Sequence, residues 1–195
     1  NKEDYRFRGE TYHTAFSDFK VSYDIPEEYT FVSSSEVDGE PGNSTGTFEI
    51  ENVKDIYIAI LKDPMVIQKQ TEDITIRVFG FEDKADLYRE ISEVAADALA
   101  YFQENIGPYP FAQLDIVIDS LGMEYPGIVT AYSIYDSGPV SPDFLKSMVV
   151  HEIAHQWFYG VISNDPYHNG WLDEGMSTFA ASLYQYSSTG EEVNY

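Results

Sequence analysis

The sequence predicts an α+β chain, and three observations carry that prediction. From Thr11 to about Phe81 apolar and polar residues alternate between turn residues. Near Glu82 the period changes to that of a helix. Beyond it, two short apolar runs are followed by two further helical segments. We therefore read an N-terminal antiparallel β-sheet region over residues 1–82, followed over residues 83–195 by a unit of helices around a small sheet.

Each element has its own signal. Thr47-Phe48-Glu49-Ile50 and Asp73-Ile74-Thr75-Ile76-Arg77-Val78 place every second side chain on one face, as half-buried strands do. Glycine, proline and asparagine mark Val37 to Ser44 as a hairpin loop. Leu87, Ile91, Val94, Ala95, Ala98, Leu99 and Phe102 recur at helical spacing until Gly107-Pro108 supplies a stop. Leu114 to Ile118 and Gly127 to Thr130 read as strands. Ser141-Pro142 opens the next helix as N-cap and first-turn proline, with Phe144, Leu145, Met148 and Val149 on its apolar side and its end near Gly160. A third helix is expected from about Leu172 to Tyr186.

Composition narrows the function. Of 195 residues, 34 are acidic and 11 basic, a formal charge of −23, which argues against a nucleic-acid binder held by phosphate contacts. With 43% hydrophobic and 15% aromatic residues the chain can build a packed core, and the charge reads as a solvated surface. There is no cysteine, so any metal must be held by histidine and carboxylate. No apolar run is long enough to span a bilayer, and nothing in the composition decides the compartment. The chain opens on Asn1 rather than methionine and is expected to be an excised fragment.

The chemistry concentrates in His151-Glu152-Ile153-Ala154-His155. Histidines at i and i+4 project from one helix face and can share one metal ion. Glu152 is rotated away from that axis, so it is placed to hold a water beside the metal as general base. Hydrolytic zinc takes three protein ligands and keeps one open position. Glu174 is the candidate third ligand, with 18 residues between it and His155, at the start of the third helix. Such a metal would lower the pKa of water from about 15.7 toward 7. Two imidazoles and one carboxylate suit zinc best among divalent ions.

With these residues in hand, the chain resembles the aminopeptidase N-like zinc metallopeptidases of the gluzincin group. His151-Glu152-x-x-His155 followed by Glu174 matches that family's ligand arrangement, within Asn169-Gly170-Trp171-Leu172-Asp173-Glu174-Gly175. Leu121-Gly122-Met123-Glu124-Tyr125-Pro126-Gly127 stands where the family has its Gly-x-Met-Glu-Asn signature. Tyr101 to Phe111 is similar to the helix exit that precedes it, so the resemblance covers most of residues 86 to 187. It implies one zinc per chain on His151, His155 and Glu174, and Glu152 as base. It also implies substrate binding by Gly122, Met123 and Glu124, the last of them pairing with the free α-amino group of a peptide. By the same resemblance the β half is the end of a saddle-shaped N-terminal domain, and the rest is the first part of a thermolysin-like catalytic domain. The partners implied are peptides with a free N-terminus.

Two departures matter. Tyr125 replaces the family asparagine and Leu121 its first glycine, so the pocket walls are expected to be reshaped. The family's catalytic tyrosine lies several tens of residues past the third ligand, beyond Tyr195. Tyr184 and Tyr186 are too close to Glu174 to serve, and are read as core residues. Without that oxyanion donor the fragment is expected to bind zinc but to be weakly active or inactive, since one such donor is worth roughly 10² to 10³ in rate. A thermolysin-type zinc endopeptidase, which lacks an amine anchor, and a non-catalytic peptide-binding module on the same fold are the competing readings.

Overall fold

The computed structural model describes residues 14–36, 43–119, 121–132 and 140–190, so most of the loop read at Val37 to Ser44 lies outside the described residues. β1 (Ser17–Asp24) pairs antiparallel with β3 (Thr45–Val53), and β2 (Tyr29–Ser33) with β4 (Ile58–Lys62). The alternating pattern thus yields antiparallel ribbons, as expected.

The next strands form a larger sheet. β5 (Met65–Gln70) and β6 (Thr75–Gly80) join β7 (Gln113–Ile118), β8 (Met123–Tyr125) and β9 (Ile128–Thr130) in a five-stranded sheet ordered β5-β6-β7-β9-β8. β6, β7 and β9 run parallel, while β5 and β8 are antiparallel edges. α1 (Ala85–Asn105) connects β6 to its parallel neighbour β7. The boundary drawn between residues 82 and 83 therefore falls at the strand-to-helix turn of one βαβ unit. The change of period marks a crossover, because parallel neighbours need a long connection that is usually a helix. The change from one sheet to another comes earlier, between β4 and β5.

This sheet is buried on both faces. On one, Ile76, Val78, Leu114, Ile116 and Val129 meet Ile91, Ala95, Leu99 and Phe102 of α1 and Val149, Ile153 and Trp157. On the other, Phe79, Val117 and Ile128 meet Val32, Ala59 and Leu61 of the β2–β4 ribbon. A sheet covered twice explains the apolar run around Leu114. It also explains a departure from simple alternation: Arg77, on the polar side of its strand by pattern, is buried. Its Nε and Nη2 donate to Asp115 Oδ1 and Oδ2 at 2.7 and 2.5 Å across the β6–β7 register. A bidentate pair of this kind satisfies both charges inside the second core.

α1 ends where Gly107-Pro108 predicts, the Ile106 N–H closing on Phe102 O. α2 (Pro142–Ala154) starts as predicted, the Ser141 Oγ accepting from the Phe144 N–H at 3.2 Å. Phe144 on its expected apolar side is half exposed. Regular helix stops at Ala154, six residues before Gly160. There the ladder tightens to Gln156 N–H on Ile153 O and Trp157 N–H on Ala154 O, while Trp157 Nε1 donates to Gly107 O at 2.9 Å. α3 (Pro166–Thr189) begins six residues ahead of Leu172, with a kink at Asn169 (φ −130°, ψ 36°). Tyr184 packs edge-on to Tyr101, as its core reading requires; Tyr186 is 55% exposed and does not. Among the described residues no helix is long and apolar enough to cross a membrane.

Candidate metal centre

The final turn of α2 and the first regular turn of α3 after its kink face each other. His151 and His155 sit one turn apart, and their Nε2 atoms approach to 3.1 Å. Glu174 Oε2 stands 3.3 Å from the first and 3.8 Å from the second. Donors around a tetrahedral ion with bonds of about 2.1 Å lie about 3.4 Å apart, so this set fits zinc in both chemistry and spacing. The hydrogen bond with His151 holds the Glu174 carboxyl below its ordinary pKa.

His155 is wholly buried, and its second ring nitrogen is engaged. Nδ1 lies 2.7 Å from Asp173 Oδ1 and 3.2 Å from Phe158 O. A carboxylate on Nδ1 sets the tautomer that leaves Nε2 free for a metal. Burial alone would lower the pKa of His155, but the Glu124 charge and the Asp173 hydrogen bond outweigh it and hold the imidazole up to about 10. The sequence reading missed Asp173 although it stands in the quoted motif. Its signal is a carboxylate one residue before the third ligand, turned by about 100° toward α2.

Glu152 is buried against Gly122. A Cβ on that glycine would come within 2.3 Å of Glu152 Oε1, so only glycine leaves the carboxylate its place. Burial pushes the Glu152 pKa up to about 7, with Glu124 adding to the effect and His155 opposing it. Glu124, Glu152 and His155 form a second group whose ligand-type atoms all lie within 4.8 Å of one another. Gly122, Met123 and Glu124 share with His151, Glu152 and Glu174 a cleft of about 440 Å³. Leu121, Phe144 and Met148 provide its apolar wall.

Tyr125 behaves otherwise than expected. It stacks on Tyr57 at 4.8 Å on the far side of the sheet and packs with the second core, so the departure from asparagine does not put a tyrosine in the cleft wall. Leu121 does line the cleft. Lys54, also missed by the sequence reading, comes from just after β3. It is buried over the Tyr159 ring at 4.1 Å and donates to Asn164 O at 3.5 Å. Burial lowers its pKa, against the pull of Asp173, Asp55 and Glu124.

The chain is similar to known proteins. Residues 91–194 match the peptidase family M1 domain, more than half of the chain. Aminopeptidase M1 of Arabidopsis thaliana is 25% identical over 182 residues, 85% of this chain and 21% of that protein. Aminopeptidase 2 of Candida albicans is 28% identical over 182 residues, 85% of this chain and 20% of that protein. Aminopeptidase N of Streptomyces lividans is 23% identical over 191 residues, 89% and 22%. The chain spans about a fifth of the length of these relatives. A domain match of that extent, with aminopeptidases aligned across most of the remainder, makes this chain a member of peptidase family M1.

Proposed function

We propose that this chain carries the zinc and amine-binding machinery of an aminopeptidase that removes the N-terminal residue from peptides. The observation that supports it best is one cluster: two imidazole nitrogens and the Glu174 carboxylate 3.1 to 3.8 Å apart, with Glu124 and Glu152 beside them. His151, His155 and Glu174 would hold one zinc, with Asp173 orienting His155. The ion supplies Lewis acidity, acidifying water and polarising the scissile carbonyl.

The chain's own residues do the rest. Glu152, with its pKa near neutrality, accepts a proton from the attacking water and passes it to the leaving amine. The Glu124 carboxylate pairs with the substrate ammonium and so places the first peptide bond, rather than an internal one, at the metal. The apolar wall of Leu121, Phe144 and Met148 excludes water and contacts the first side chain. In this reading the thermolysin-like region starts at β5, and the β1–β4 ribbons belong to the N-terminal β domain.

The test compares zinc-loaded full-length protein with its Glu124→Gln variant on an aminoacyl substrate and on the N-acetylated form. The unaltered protein is expected to prefer the free amine strongly. The variant loses about 10² to 10³ in kcat/KM on that substrate while retaining zinc. Equal cleavage of both substrates by the unaltered protein would favour an endopeptidase and contradict the proposal.

A further inference from the structure

Gln156 follows His155 directly, and its side chain is 2% exposed. Its amide engages backbone rather than the metal centre. Nε2 donates to the Tyr125 carbonyl at 2.8 Å, and Oε1 accepts from the Gly127 N–H at 2.9 Å. These two groups bracket Pro126 in the turn between β8 and β9, where Gly127 adopts φ +72°, a conformation that glycine takes at no cost to a side chain.

β8 needs such a fastening. It is a three-residue strand that carries Glu124, and among the described residues it stands at the sheet edge with β9 as its neighbour. The Gln156 amide offers one donor and one acceptor to the turn, as a further strand would, and its backbone is one residue from a proposed zinc ligand. The carboxylate that would bind the substrate ammonium is thereby tied to the segment bearing the second histidine. Buried backbone groups left without these partners would regain them only by moving the strand.

We infer that Gln156 is a positioning residue that fixes the spacing between Glu124 and the metal centre, and so sets how strongly the site prefers a free N-terminus. The inference rests on the amine-anchor reading of Glu124 given above. Misplacement of a binding group by about 1 Å costs on the order of 10²-fold in a well-organised site, so the spacing carries the specificity. A ligand lacking the amine does not depend on it.

Two inhibitors that differ in the amine alone read this directly: leucine hydroxamate and its des-amino analogue, titrated calorimetrically into zinc-loaded full-length protein. The unaltered protein is expected to bind the amine-bearing compound more tightly. Gln156→Met, which removes both hydrogen bonds at similar volume, reduces that advantage about tenfold and leaves des-amino affinity and zinc content within about twofold. Gln156→Glu keeps the acceptor for Gly127 but sets a second oxygen against the Tyr125 carbonyl. It also reduces the advantage, and it decides the matter if the methionine variant does not fold. An unchanged advantage in the folded variants overturns the role of Gln156 alone. An unaltered protein that binds both compounds equally overturns the amine anchor, and with it the role of Gln156.

Discussion

A histidine becomes a dependable metal ligand only when its other nitrogen is held, and here Asp173 holds His155 at 2.7 Å. Replacing Asp173 with alanine is therefore expected to weaken zinc binding about 10- to 100-fold, read by competition with a chromogenic chelator. Unchanged affinity would show that the contact does not orient the ring. At this scale the sequence disclosed what spacing alone dictates. The i, i+4 register brings His151 and His155 together on any helix, and a carboxylate on the following helix completes the set. Asp173 and Gln156 were missed because their partners, an imidazole in another helix and two backbone groups in a distant turn, are brought to them only by the tertiary fold. Tyr125 was misjudged for a related reason: its neighbour Glu124 faces the cleft, so a strand's alternation turns Tyr125 to the opposite side.

Helix α2 is the element on which the centre depends, and its beginning was readable to the residue. Ser141 accepts from the Phe144 N–H, and Pro142 fits the first turn, where no N–H is needed. Ser141→Ala should cost about 1 kcal/mol, lowering the apparent Tm by about 2–4 °C with zinc stoichiometry unchanged. A loss of bound zinc in that variant would mean that the cap helps to form the site itself. The end of the helix was not readable. Nothing near Ala154 breaks helices, and the turns from His155 to Gly160 follow from distant contacts such as Trp157 on Gly107 and Tyr159 on Asp55. In these tightened turns the Gln156 side chain faces the β8–β9 turn.

In the whole molecule the five-stranded sheet joins the two halves that a change of period had separated. Local pattern announces β3, β6, β7 and β9 but not their neighbours, and β6 finds β7 only across the length of α1. The Arg77–Asp115 pair lies at that junction under the β2–β4 ribbon. Arg77→Met, which takes the guanidinium away from the buried Asp115 carboxylate, is expected to destabilise the fold by about 3–5 kcal/mol in denaturant unfolding. A change under 1 kcal/mol would mean that the pair is not buried in solution. The account as a whole turns on one metal bound between α2 and α3. Elemental analysis of purified, zinc-supplied full-length protein, alongside Glu174→Ala, tests this most directly. The account predicts about one zinc per chain at this centre, weakened at least tenfold in the variant. Folded protein without zinc, or a variant that binds it equally well, would contradict it.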